Sequence, residues 1–330
     1  MKIERVLEVP TGHILIADTG NGKLEFLSLG DYGQGVNLNQ HKSVSHQPIM
    51  PLTEKWVVTV STQYGCSMGC EFCDVPKVGP GKNASFYDLT GQILAAVKLH
   101  PEITETKRLN VHFARMGEPT WNPNVLDCGK WLHAHMNDSY HVHPVVSTMM
   151  PRRNIWLKTF IHTWMRLKNR VYNGNAGLQL SINSTDPKER DKMFNGNAES
   201  LDGIARIMDG IIPIGRKITL NFAVAGYEID PSVLLHYFDP ALYVCKLTPM
   251  HKTSTALKNG IETAGDYTDF HPYLHHEDAL KKAGYDVLTF IASVEEDLGR
   301  ITCGNAILSG TVPLVPYKEV AAWYSSRSGA

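Results

Sequence analysis

Cys66, Cys70 and Cys73 fall within one eight-residue run, Cys66-Ser-Met-Gly-Cys-Glu-Phe-Cys73. Three thiolates on one loop are metal ligands by chemical type, and sulfur suits zinc or an iron–sulfur cluster. Structural zinc closes its tetrahedron with a fourth Cys or His at motif spacing. None follows closely, although the 15 histidines of the chain leave a distant ligand open. An iron–sulfur cluster needs only these three, with one iron left for another ligand. Six cysteines in 330 residues are too few for a disulfide framework, so the cluster of three reads as a metal loop.

The elements that must position this loop are legible as alternation. Apolar runs at 56–60, 109–114, 143–148, 177–182, 217–224, 241–248 and 286–291 are separated by segments with helical spacing. Such a pattern predicts an α/β fold of parallel β/α units closing into a partial or full barrel, with its chemistry at the C-terminal ends of the strands. Cys66 follows directly on the first of these strands. Ser85 with Asp88 resembles a capping box that opens a helix over Leu89 to Leu99, and Asp186-Pro187 marks another helix start. Ahead of the barrel, β-like runs at 5–9 and 12–17 and a Gly/Asn-rich stretch from Gly30 to Asn39 predict a short N-terminal β elaboration over residues 1–50. The barrel is expected over 51–310, with a C-terminal segment at 311–330 that frays from Ser325.

Composition bounds the partners. Lys and Arg number 32 against 33 Asp and Glu, which excludes a strongly basic nucleic-acid wrapper, and 43% apolar residues exclude a long disordered tail. No apolar run approaches the roughly 18 residues that cross a bilayer. Met1-Lys2-Ile3-Glu4-Arg5 lacks the layout of a secretory signal, so the cytoplasm is the expected location.

With its aromatic Phe72 before the last cysteine, the CxxxCxxC loop resembles that of the radical S-adenosylmethionine (SAM) superfamily. The resemblance implies a [4Fe-4S] cluster on Cys66, Cys70 and Cys73, SAM on the fourth iron, and reductive cleavage of SAM to a 5′-deoxyadenosyl radical. More narrowly, Val60-Ser-Thr-Gln-Tyr-Gly-Cys66 resembles the lead-in of the RlmN/Cfr family of RNA adenosine methyltransferases. Further matches keep the same order along the chain. Met116-Gly117-Glu118-Pro119 resembles the family's MGEP, implying Gly117 and Glu118 at the SAM amino group. Ser147 matches a SAM-contacting serine, Ser181-Ile182-Asn183 stands at Ser-Leu-His, and His251 in Lys246–His251 stands at a SAM-contacting Asn. Asp297 through Gly304 resembles D-D-I-D-A-A-C-G, implying Cys303 as the cysteine that carries a methyl group to C2 or C8 of adenine. These carbons are not nucleophilic, which is why a covalent thiol carrier is required. RNA, an electron donor such as flavodoxin or ferredoxin, and a monomeric enzyme are the implied partners and state. The alternative is a radical SAM enzyme of the same architecture acting on a small molecule, nucleotide or peptide.

Two positions depart from the family pattern. Its second cysteine, seven residues before the first cluster cysteine, falls on Thr59, and a hydroxyl cannot do that thiol's work; either Cys128 or Cys245 approaches from elsewhere, or the reaction ends differently and the enzyme is not a standard adenosine methyltransferase. A family glutamate proposed as proton acceptor falls near His46, which can also move protons near neutral pH. Residues 1–50 are also too short and β-like for the family's helical accessory domain. A basic run from Arg152 and Arg153 through Lys158, Arg166, Lys168 and Arg170, with no acidic residue between Asp138 and Asp186, could meet phosphates. Trp156, Phe160 and Trp164 recur every four residues and read as the buried face of its helix. The pairs His133/His135, His141/His143 and His275/His276 read as surface or capped histidines, and Gly79-Pro80-Gly81-Lys82 as a flexible return from the cysteine loop.

Overall fold

The computed structural model describes residues 1–9, 11–31, 41–43, 49–261, 271–291, 299–302 and 304–311. His46 and Cys303 lie outside these described residues. The chain opens with β1 (Lys2–Val9), β2 (Gly12–Asp18), β3 (Lys23–Gly30) and a short β4 (His41–Ser43). Next come β5 (Trp56–Val60) and a hairpin of β6 (Gln63–Gly65) with β7 (Pro80–Asn83). Helix and strand then alternate as α1 (Phe86–Lys98), β8 (Leu109–Phe113), α2 (Asn124–Tyr140), β9 (Val142–Thr148), α3 (Leu157–Arg170) and β10 (Gly177–Ser181). The series continues through α4 (Pro187–Met193), α5 (Leu201–Met208), β11 (Ile218–Val224), α6 (Pro231–Tyr237) and β12 (Tyr243–Pro249). It closes with α7 (Ser254–Lys258), α8 (His271–Lys282) and β13 (Asp286–Ile291).

One sheet runs in the order β1-β2-β3-β5-β8-β9-β10-β11-β12-β13-β4. From β5 to β4 every neighbour is parallel. β1, β2 and β3 extend it with antiparallel pairings, and β3 runs antiparallel to β5. Because β1 and β4 are its two edges, the sheet is open, and the expected barrel is a partial one.

Period-two burial explains how these strands form two faces. In β11, Ile218, Leu220, Phe222 and Val224 are buried while Thr219, Asn221 and Ala223 alternate with them, half-buried. The apolar phase packs under the helices. The more polar phase is left for the concave side, where a ligand would sit. α1 begins at Phe86, a turn earlier than the apolar periodicity suggests, because Ser85 caps it: the Ser85 hydroxyl accepts from the Asp88 N–H at 3.1 Å and the Ser85 N–H donates to the Asp88 carboxylate at 2.8 Å.

Four sequence expectations need correction. β3 falls partly where only a loop was expected; Leu24, Phe26, Leu27 and Leu29 crowd it, but Glu25 and Ser28 interrupt the apolar run although both are buried with it. Gly79 to Lys82 is no flexible return, since β7 pairs with β6. Phe160 and Trp164 are buried as predicted, with the Trp164 indole donating to the Gly177 carbonyl at 2.9 Å, but Trp156 precedes the helix and is 66% exposed. Lys168 is not a surface cation: it is buried, its ammonium caps the Ile214 carbonyl, and burial lowers its pKa to about 8.

Candidate active site

The cysteine loop leaves β6 through a turn that only glycine fits. Gly65 has φ +80°, and a Cβ there would lie 2.0 Å from the Gly79 carbonyl oxygen. The Cys66 N–H then donates to the same carbonyl at 3.1 Å, which fixes where the loop starts. Cys66 and Cys70 are buried and Cys73 is half-buried.

All three cysteines line one cavity at the C-terminal ends of the parallel strands. Gly117 after β8, Ser147 on β9, Ser181 at the end of β10, Asn183 just beyond it and His251 after β12 line the same cavity. Residues scattered over 186 positions of sequence are thus gathered by strand ends alone, as parallel β/α architecture demands. Asn183 takes a left-handed backbone, φ +62°, and its side-chain oxygen accepts from the Ala223 N–H at 2.9 Å, which ties β10 to β11. Arg115, Met149, Asn221, Thr248 and Gly304 also line the cavity, and the sequence reading missed them. For Asn221 and Thr248 the signal was present: they occupy the non-apolar phase of their strands.

Glu118 is not a lining residue. It is fully buried, and its carboxylate accepts from the Thr148 hydroxyl at 2.6 Å, the Met149 N–H at 2.9 Å and the Thr120 hydroxyl and N–H at 2.8 and 3.1 Å. Burial pushes its pKa up while these donors pull it down. Its contribution here is to lock the end of β9, with Ser147, against the loop after β8.

A single tetrahedral ion at a metal–sulfur distance of about 2.3 Å would draw its ligands around one point. Among the described residues no three His, Cys, Asp or Glu side chains are gathered in that way. An iron–sulfur cube seats each thiolate on a different iron, so the thiolates ring a volume instead of meeting at a centre. Three cysteines on a cavity also lined by Ser147, Ser181, Asn183 and Asn221 fit such a cluster with a polar amino-acid ligand beside it.

Behind the loop, Asp74 and Arg115 hold the wall together. Asp74 accepts from the Lys77 ammonium at 2.7 Å, the Thr255 hydroxyl at 2.6 Å and N–H at 3.0 Å, and the Ser254 hydroxyl at 2.8 Å. Burial alone would raise its pKa, but these donors outweigh it and hold the carboxyl at about 2. The Asp74 N–H donates to the Gly304 carbonyl at 2.9 Å. Arg115 forms a buried ion pair with Glu25 of β3 and donates to the Arg300 and Thr302 carbonyls at 2.7 and 3.2 Å. Glu25 in turn accepts from the Leu308 N–H at 3.0 Å. Thr302 and Gly304, on either side of Cys303, are therefore both anchored to the cysteine-loop wall.

Neither substitute thiol reaches the cavity lining. Cys128 on α2 and Cys245 on β12 are fully buried in the apolar core, and burial pushes both thiols up. Cys245 sits in the apolar phase of β12, opposite to Lys246 and Thr248. Thr59 lies in the half-buried phase of β5, beside His112 of β8.

The fold is that of a radical SAM methyltransferase. The crystal structure of a radical SAM methyltransferase from Sphaerobacter thermophilus superposes with a TM-score of 0.66 over 92% of this chain and 80% of that one, at 18% identity. No protein-family model matches the chain. By sequence, the chain is 31% identical over 158 residues to the dual-specificity RNA methyltransferase RlmN of Desulfosudis oleivorans, covering 44% of this chain and 36% of the relative. With the RlmN of Sorangium cellulosum it shares 23% identity over 265 residues, 78% of this chain and 62% of the relative. In both sequence comparisons the matched stretch spans less than two thirds of the relative's length. The chain is thus similar in sequence to part of the RlmN enzymes and in fold to a radical SAM methyltransferase.

Proposed function

We propose that this protein is a radical SAM methyltransferase that modifies an adenine carbon, C2 or C8, in RNA. The observation that carries the reading is the convergence of Cys66, Cys70, Cys73, Gly117, Ser147, Ser181, Asn183 and His251 on one cavity at the strand ends. Cys66, Cys70 and Cys73 would hold a [4Fe-4S] cluster, and Ser147, Ser181, Asn183 and His251 would hold SAM. When bound, these groups supply the electron and the carbon radical that the side chains cannot. The chain's own work is orientation and exclusion of water. Glu118 fixes the end of β9, Asp74 fixes the cysteine loop to α7, and Arg115 with Asp74 secures the backbone on both sides of Cys303. Cys303 is the thiol that would accept and carry the methyl group. His46 would serve as proton acceptor, and a one-electron donor such as flavodoxin or ferredoxin would serve a monomer in the cytoplasm.

Support for RNA comes from the named activity of the RlmN relatives. The second reading, a small-molecule, nucleotide or peptide substrate, is favoured by the absence of a thiol at Thr59. Two experiments separate these. Anaerobically reconstituted protein should release 5′-deoxyadenosine from SAM with dithionite and show a methyl adduct on Cys303 by intact mass, both lost in C66A. Mass spectrometry of digested RNA from cells with and without the protein should show a gain of methyladenosine. Turnover of SAM without any such gain would refute RNA as the substrate and favour the second reading.

A further inference from the structure

Beside the cofactor cavity lies a second, open one of about 470 Å³, within the roughly 300–1,000 Å³ typical of ligand sites. Its lining includes Ser67 and Met68, which sit between the ligands Cys66 and Cys70, together with Gln63, Trp121, Arg153 and Asn197. Gln63 stands between the two cavities. Its Oε1 accepts from the Glu118 N–H at 3.0 Å, and a Cβ on Gly117, which lines the cofactor cavity, would lie 2.5 Å from the Gln63 Cβ. A molecule held in the second cavity would therefore lie next to the cofactor, across the cysteine loop, and not in its place.

The turn that follows β9 leads from this cavity onto an apolar surface. Arg153 lines the cavity, and just after it Ile155 is 87% and Trp156 66% exposed. A tryptophan left in water with an isoleucine beside it marks an interaction surface, since such rings carry much of the energy of an interface when covered. The turn is built and not loose. The buried Asn154 donates its amide to the Thr120 carbonyl at 2.8 Å and accepts from the Trp156 N–H at 3.0 Å. The Arg152 N–H donates to the Asn197 carbonyl at 2.8 Å, and the Asn197 amide donates to the Met68 carbonyl at 2.9 Å. One buried asparagine thus ties Trp156 to the backbone beside Trp121, and a second one ties the turn to the cysteine loop.

Positive charge continues from there along α3. Lys158, His162 and Arg166 line an open groove of about 400 Å³ on its exposed side, and Lys158 and Arg166 are about 12 Å apart along the axis at roughly 1.5 Å per residue. Arg152 is taken by Asp191, and Arg206 by Asp202. Among the described residues no ion pair engages Arg153, Lys158 or Arg166, and no carboxylate occurs in sequence between Asp138 and Asp186. Resting on the nucleic-acid reading above, we infer that this face is a clamp for single-stranded RNA, in which bases stack on Trp121 and Trp156 while Arg153, Lys158 and Arg166 meet the phosphates of nucleotides flanking the target. Two open concavities, with Trp156 between them in sequence, suit a flexible strand better than the surface of a folded acidic protein. Every base has a face to stack and every nucleotide a phosphate, so the clamp supplies affinity and position without reading sequence.

The test uses the full chain and three probes: a short fluorescein-labelled single-stranded RNA, the same RNA as a duplex, and flavodoxin as an acidic protein. The variants are R153Q, W156A and W156F, with R206Q as a control that removes an exposed cation outside the clamp. W156A should bind the single strand about tenfold more weakly with an unchanged salt dependence, and W156F should recover most of the loss, because stacking needs a ring and not a charge. R153Q should flatten the slope of log affinity against log salt by about 0.7, the share of one phosphate contact on a single strand. The duplex should bind more weakly than the single strand, R206Q should bind as wild type does, and Tm should be unchanged in all four variants. Wild-type protein that binds no RNA, variants that bind as wild type does, or losses that follow a fall in Tm would overturn the clamp. Flavodoxin bound through Trp156 and Arg153 with no RNA bound would overturn it too, in favour of a protein dock. Methyladenosine formed in cells by R153Q and W156A at the wild-type level would sink the clamp and leave the RNA methylation standing, whereas RNA bound as described with no methyladenosine formed would do the reverse.

Discussion

Arg115→Met tests whether a buried ion pair secures the segment that carries Cys303. In the native chain the Arg115 and Glu25 side chains are 2% and 0% exposed, and Arg115 also holds the Arg300 and Thr302 carbonyls. Removing the cation leaves the Glu25 carboxylate buried with the Leu308 N–H and no counter-charge. Breaking one partner of a buried pair costs about 3–5 kcal/mol. For a chain of 330 residues, an unfolding entropy of about 2.1 cal/mol/K per residue gives about 0.7 kcal/mol/K, so Tm should fall by about 5 °C. Adding Glu25→Gln should recover part of that loss, because a neutral amide is cheaper to leave in place. Hydrogen exchange across 299–311 should rise in R115M more than in the double variant, and Cys303 in the cluster-free protein should alkylate faster. A Tm within a degree of wild type, together with unchanged exchange in that segment, would refute the reasoning.

Other expectations follow from the same contacts. Asp74 is held near pKa 2, below its ordinary 3.8, so its stabilisation is complete above about pH 4 and lost as pH falls toward 2; at about 1.4 kcal/mol per unit this is about 2 kcal/mol, and acid unfolding of D74N should lack that component. Gly117→Ala would place a Cβ 2.5 Å from the Gln63 Cβ at φ +92°, and should destabilise by about 3 kcal/mol in urea unfolding, with weaker SAM binding. Cys128 and Cys245 should resist iodoacetamide in native protein and react only after denaturation, read by peptide mass, because burial keeps both thiols protonated.

The parallel strands β5 and β8 to β13 were legible because each interrupts helical spacing with a compact apolar run, and Ser85 and Asp186 announced their helices through side-chain caps, whereas the polar β6–β7 hairpin carried no such run. Trp156 misled for a local reason: spacing of four continues one turn beyond a helix whether or not the backbone does. β3 was not legible because Glu25 and Ser28 break its apolar run and Gly/Asn-rich sequence flanks it on both sides.

The sequence by itself determined the chemistry: three thiols at fixed spacing, and the polar residues placed just after each apolar strand, are local facts that folding does not alter. Only the tertiary structure decided what each group faces. It turned Glu118 inward onto Thr148 and Met149, buried Cys128 and Cys245, and joined Glu25 to Arg115 across 90 positions of sequence. Burial and pairing are set by neighbours distant in sequence, and those neighbours are fixed only when the parallel strands take their order in the sheet.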